Sequence, residues 1–151
     1  MNKYLVAWLA VAVVMVAMDV LWLGFVAKSM YQNGIGHLMA ERPQALAALA
    51  FYVVYAVGLV VFTVAPRAGV AGWHSTALMA ALFGFVAYAT YDLSNLATLQ
   101  AWPLWLSLVD MAWGSAVSAV AATAGKWAMG RVWDWLLRAL AHRHACTWGV
   151  R

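Results

Sequence analysis

The stretch 76–99 reads T-A-L-M-A-A-L-F-G-F-V-A-Y-A-T-Y-D-L-S-N-L-A-T-L. At 1.5 Å per helical residue it is long enough to cross a hydrocarbon core of about 30 Å. Its second half, Tyr88 to Leu99, puts a carboxylate, an amide, two phenols and several hydroxyls where lipid tails are expected. Polar groups at that depth are costly, so they face a partner or a wet cavity. This one stretch predicts a membrane-spanning helix that carries a polar layer.

The whole chain supports that reading. Of its 151 residues, 67% are hydrophobic and 9% are charged. Soluble domains carry about 25% charged residues, so there are too few charges here to cover a water-facing surface. The apolar runs are unbroken and too long for barrel strands, which alternate over about 10 residues. Helices are therefore the expected spans. The expected fold is an all-α, four-helix transmembrane bundle followed by a C-terminal amphipathic interfacial helix. Spans are expected at about 4–27, 45–64, 76–99 and 104–125, making a domain of residues 1–125. A basic cytoplasmic tail, 126–151, follows. The apolar core after Lys3 outruns a signal peptide, and no A-x-A site followed by a soluble domain is seen. Residues 28–44 read as a polar connection, and 65–75 and 100–103 as short turns. All three prolines, Pro43, Pro66 and Pro103, fall outside the helix interiors.

In the tail, Arg131, Asp134, Arg138 and His142 recur on one side, and Val132, Trp133, Leu136, Leu137 and Leu140 on the other. That is the pattern of a helix lying in the interface. His142-Arg-His-Ala-Cys146 reads as a basic tail and not as a metal site, because closed structural sites need four ligands. Cys146 is alone and forms no internal disulfide.

Charge sets the expected orientation. Lys3, Arg67, Lys126, Arg131, Arg138, Arg143 and Arg151 fall on one side, Lys28 and Arg42 on the other. By the positive-inside rule both termini are cytoplasmic, in a bacterial inner membrane. The net charge of +4 is thus an orientation signal, and no nucleic-acid partner is expected.

Three of the five acids fall inside spans: Asp19, Asp92 and Asp110. Counted from the outer helix ends, Asp19 lies ~13 Å down, Asp92 ~12 Å, Asp110 ~10 Å and Tyr52 ~12 Å. All four spans therefore carry a polar group at one outer-half level. The faces agree too. Tyr88, Asp92 and Asn95 share one side of the third span. Asp19 and Trp22 form a D-x-x-W pair on the first, which Asp110 and Trp113 repeat on the fourth. Tyr52 and Tyr55 on the second echo Tyr88 and Tyr91. Such an order hints at two related halves. With no Lys or Arg inside the spans, three carboxylates in one layer are not expected all to ionise.

Ligand-binding candidates are Asp19, Trp22, Tyr52, Tyr55, Tyr88, Asp92, Asn95, Asp110 and Trp113. Trp73, Trp102, Trp105 and Trp127 read as an aromatic belt near the helix ends. Gly114, Ser118 and Ala122, four apart, read as a close-packing stripe. There is no H-E-x-x-H, G-x-S-x-G, phosphate loop or dinucleotide fingerprint. Paired carboxylates suit general acid–base work, yet no pattern names a substrate or a cofactor.

The segments M-D-V-L-W-L-G at 18–24, F-Y-V-V-Y-A-V-G-L at 51–59, Y-A-T-Y-D-L-S-N-L-A-T-L-Q-A-W-P at 88–103 and V-D-M-A-W-G at 109–114 carry a resemblance. Over about residues 1–125 the chain resembles the bacterial membrane family called domain of unknown function 2177. Ser94 stands where the family pattern has Thr, which keeps the hydroxyl. The resemblance implies a four-helix inner-membrane protein, brings no activity with it, and leans toward a lipid-related role.

The reading favoured on these grounds is a membrane protein that binds a small molecule or lipid headgroup in an outward-facing pocket, as an accessory to lipid modification. The alternatives are a proton-coupled transporter or channel using the three acids, and a purely structural subunit. Expected partners are the bilayer, that ligand and, for so small a unit, a second copy of the chain.

Overall fold

The computed structural model describes the backbone of residues 2–148 and the side chains of residues 2–132. Five α-helices make up the described chain, with no strand among them. The first, α1 (Lys3–Leu21), starts where the Asn2 side chain accepts from the Tyr4 amide at 3.0 Å. It runs on into a π-helical turn, Trp22–Val26, closed by the Ala27 amide donating to the Trp22 carbonyl at 2.7 Å. Next come α2 (Lys28–Ile35) and a single 3₁₀ turn, Gly36–Leu38. The third helix, α3 (Ala45–Leu59), also ends in a π turn, Val60–Val64. After a short loop come α4 (His74–Thr98), a tight turn and α5 (Leu104–Trp148).

Four helical stretches are long and apolar enough to cross a membrane: Lys3–Val26, Ala45–Arg67, His74–Thr98 and Leu104–Val132. Their outward faces are apolar, with Phe25 80%, Leu46 79% and Leu78 72% exposed. Those side chains have hydrocarbon for a solvent. Between helices in lipid there is little hydrophobic drive, so association rests on close packing and hydrogen bonds.

The fold shows where that packing happens. The helix α5 is the central one, packed mainly on α4 and α1. Gly84 of α4 meets Gly114 and Ser118 of α5 so closely that a Cβ on Gly84 would collide with the Gly114 backbone. Gly125 likewise lets α5 rest on Ala7 and Val11 of α1. The close-packing stripe on the fourth span is thus the α4–α5 seam. In contrast, α3 joins the bundle chiefly through its π turn, which packs against α1, α4 and α5. Its first half stands away, with Leu46, Leu49 and Val54 exposed. The bundle is closed at the end holding the start of α1 and loop 68–73, and opens between α3 and α4 toward the α2 end. At the closed end the Lys126 ammonium ties the loop down, donating to the carbonyls of Val70 at 2.8 Å and Gly72 at 2.6 Å.

Two expectations change. Residues 28–44 are not simply a polar connection, because α2 folds back onto the bundle. Gly34 permits this by lying against Pro103, Trp105 and Leu106. Trp102 is not an interfacial belt residue. It is 8% exposed, and its indole donates to the Ser107 hydroxyl at 3.0 Å. The tight turn before Pro103 folds it inward. The helix proposed for the tail begins inside α5, whose backbone passes Lys126 without a break. Its amphipathic faces, and the stretch 142–146, fall mostly beyond residue 132 and so outside the described side chains.

Candidate functional site

The two D-x-x-W pairs explain themselves once the helices are side by side. Asp and Trp three residues apart share a helix face. The helices α1 and α5 run antiparallel, so each Asp comes level with the other helix's Trp. The Trp113 indole donates to an Asp19 oxygen at 3.0 Å. The Trp22 and Trp113 rings stack, with centroids 4.3 Å apart and planes 7° from parallel. On the other diagonal a third residue intervenes. The Tyr31 phenol of α2 donates to Asp110, and the Trp22 N–H lies beside that phenol without closing a normal hydrogen bond. Burial, and then the facing Asp110 carboxyl, push the Tyr31 phenol well above its ordinary pKa. Tyr31 therefore stays a donor across the physiological range.

From α3, Tyr52 faces Asp19, and the Tyr55 hydroxyl shares a 2.9 Å hydrogen bond with Ser118 of α5. Tyr55 also meets Tyr88 of α4 edge-on, with centroids 6.3 Å apart. The Y-x-x-Y pairs of α3 and α4 thus form one aromatic wall, and the two D-x-x-W pairs form the opposite one.

Between the walls is a cavity of about 600 Å³. Asp19, Trp22, Tyr52, Tyr55 and Tyr88 line it, as do Asp110 and Trp113. Both lining acids are protein-buried, Asp19 at 5% and Asp110 at 4% exposure. Two residues from the sequence-derived set do not reach it. Asp92 is fully buried behind the wall, next to Asp110, and neither carboxyl oxygen has a hydrogen-bond partner. Asn95 is half-buried and lies near Tyr91 instead.

Three aromatic lining residues were not among the candidates. Tyr31 lies in what reads as a loop, and only the helix-forming run from Lys28 to Gln32 hints at its fixed position. Tyr91 is next to the polar face of α4, and its ring packs edge-on against Trp102 at 6.0 Å. Phe51 precedes Tyr52 and packs against it and Tyr55. The arrangement offers two acceptor carboxylates, several phenol donors and broad π faces. No Lys, Arg or His is among the described lining residues, and no group of three His, Cys, Asp or Glu side chains is gathered for a metal among the described residues.

No curated protein and no solved structure matches the chain. Residues 4–127 match a family whose description is "predicted membrane protein". The match takes in nearly all of the first three spans, most of the fourth and both walls of the cavity, and ends close to Lys126. With four apolar spanning helices and a family match over most of its length, the chain is a membrane protein and belongs to the family domain of unknown function 2177.

Proposed function

We propose that the protein binds a small molecule or a lipid headgroup in the cavity between the α1–α5 and α3–α4 walls, and serves as an accessory to lipid modification. The observation that carries this reading is the joining of two buried carboxylates and a stacked indole pair around one space of about 600 Å³. Ligand pockets typically measure 300–1,000 Å³. A structural network would be expected to close on itself, whereas this one leaves polar groups bordering a void. Among the described residues Lys3, Arg67, Lys126 and Arg131 fall on the closed side, against Lys28 and Arg42 on the other, which supports a cavity opening toward the outer half of an inner membrane with both termini cytoplasmic.

Transport through a monomer is disfavoured. A relay would need polar groups through the closed half, but Val11, Met15, Leu59, Val64 and Val117 pack solidly there. Native mass spectrometry of gently extracted protein tests the binding reading. A recurrent non-covalent adduct is expected, and Asp19→Asn should deplete it. An adduct-free spectrum, or adducts indifferent to Asp19→Asn, would contradict it.

A further inference from the structure

The chemistry of the cavity goes further than the word ligand. Its described lining brings two carboxylates and no cationic side chain to set against them. In a bare apolar layer such charges are expensive. Trp113 and Tyr31 each donate one hydrogen bond to them, which steadies the carboxylates but supplies no opposite charge. The rest of the lining is mostly aromatic, with the Trp22–Trp113 stack on one wall and Tyr55 and Tyr88 on the other, and only Leu23, Ala48 and Ala87 are aliphatic. Aromatic faces beside carboxylates are the surroundings an ammonium group prefers. A phosphate or carboxylate head would meet like charge and find no Lys or Arg.

A second observation concerns shape. An apolar groove of about 470 Å³ lies between α3 and α4, lined by Phe62, Thr63, Met79, Phe83 and Ala87 among others. Ala87 belongs to both spaces. Phe83 stands at the junction, packed on Tyr55 at 5.5 Å and on Phe62 at 6.0 Å. From Ala87 to Met79 the groove follows α4 for about 12 Å. It leads away from the acids toward the closed end.

From these two features we infer that the ligand is a long-chain amphiphile with an amine or quaternary ammonium head, the head held between Asp19 and Asp110 and the tail lying along the α3–α4 groove. This rests on the binding reading above and narrows it to one chemical class. An ordinary bilayer lipid would cover the groove loosely. A tail tethered to a head in the cavity would be held in register along it.

The test is competitive photolabelling of the full chain in nanodiscs. The probe is a long-chain trimethylammonium carrying a diazirine midway along its tail. Saturable labelling is expected on peptides containing Phe62, Met79 and Phe83. Unlabelled hexadecyltrimethylammonium should compete at least about tenfold better than hexadecyl phosphate or hexadecanol, since losing a buried charge partner is costly. Free choline should compete weakly. Asp19→Asn and Asp110→Asn should each reduce saturable labelling at least about tenfold, with helicity unchanged by circular dichroism. Met79→Trp, which fills the groove, should weaken the long-chain amine and leave the weak competition by choline unchanged. Equal or better competition by the phosphate or the alcohol at these peptides would overturn the ammonium assignment and leave the binding reading standing. Choline competing as well as the long-chain amine would overturn the tail assignment. Unsaturable labelling spread over all lipid-facing helices, with no adduct in native mass spectra, would overturn both readings.

Discussion

Asp92 and Asp110 are near neighbours in opposite circumstances. Asp110 borders the cavity and accepts from Tyr31; Asp92 is sealed off with both oxygens unpartnered. A buried polar group without partners weakens the fold, so an apolar replacement of similar size is neutral or stabilising. Asp92→Leu should leave the thermal unfolding midpoint in detergent unchanged or raise it. A loss of about 2 kcal/mol or more would mean that Asp92 has a stabilising partner. Legibility at this scale followed spacing. Asp19, Trp22, Asp110 and Trp113 could be read because D-x-x-W puts both groups on one helix face. Tyr52, Tyr55 and Tyr88 could be read in the same way. Asp92 shared the depth and the face of Tyr88, yet one turn of helix was enough to carry it behind the wall. Tyr31 was not legible, because nothing in its neighbourhood of the sequence shows that α2 doubles back onto Asp110.

At the scale of elements the α4–α5 seam determines the cavity's shape. Gly84 lets the two helices touch, and Gly114 leaves room for the Tyr88 ring, which forms part of the cavity wall. Adding volume to a tight seam costs about 1–3 kcal/mol. Gly84→Ala should lower stability by that order in a detergent unfolding assay. An unchanged midpoint would show that the seam has slack. The close-packing role of Gly114 and Ser118 was readable from small residues four apart. Their partner Gly84 was harder to see, because a lone glycine in a span has no periodicity. The starts of α3 at Ala45 and α5 at Leu104 were readable from Pro43 and Pro103. The continuation of α5 past Lys126 was not. A lysine after Gly125 looks like the end of a span, but Gly125 is there for contact with Val11 and the helix simply runs on.

At the scale of the molecule, four spans and an uneven share of Lys and Arg give an orientation that can be checked. With Cys146 replaced by Ser, a single cysteine at Gln32 should react with a membrane-impermeant maleimide added to intact cells. One at Gly69, exposed in the loop at the closed end, should react only after lysis. The reverse pattern would invert the topology and put the cavity on the cytoplasmic side. The wider account depends on two carboxylates from different helices serving one occupant. Two sites that share a partner are not additive, so a double-mutant cycle is the decisive measurement. The affinity of the native adduct would be measured by mass spectrometry in the unsubstituted protein, Asp19→Asn, Asp110→Asn and the double variant. Both single substitutions should weaken it, and the double should lose clearly less than the sum of the two. Strictly additive losses, or an adduct that ignores either acid, would contradict a shared site.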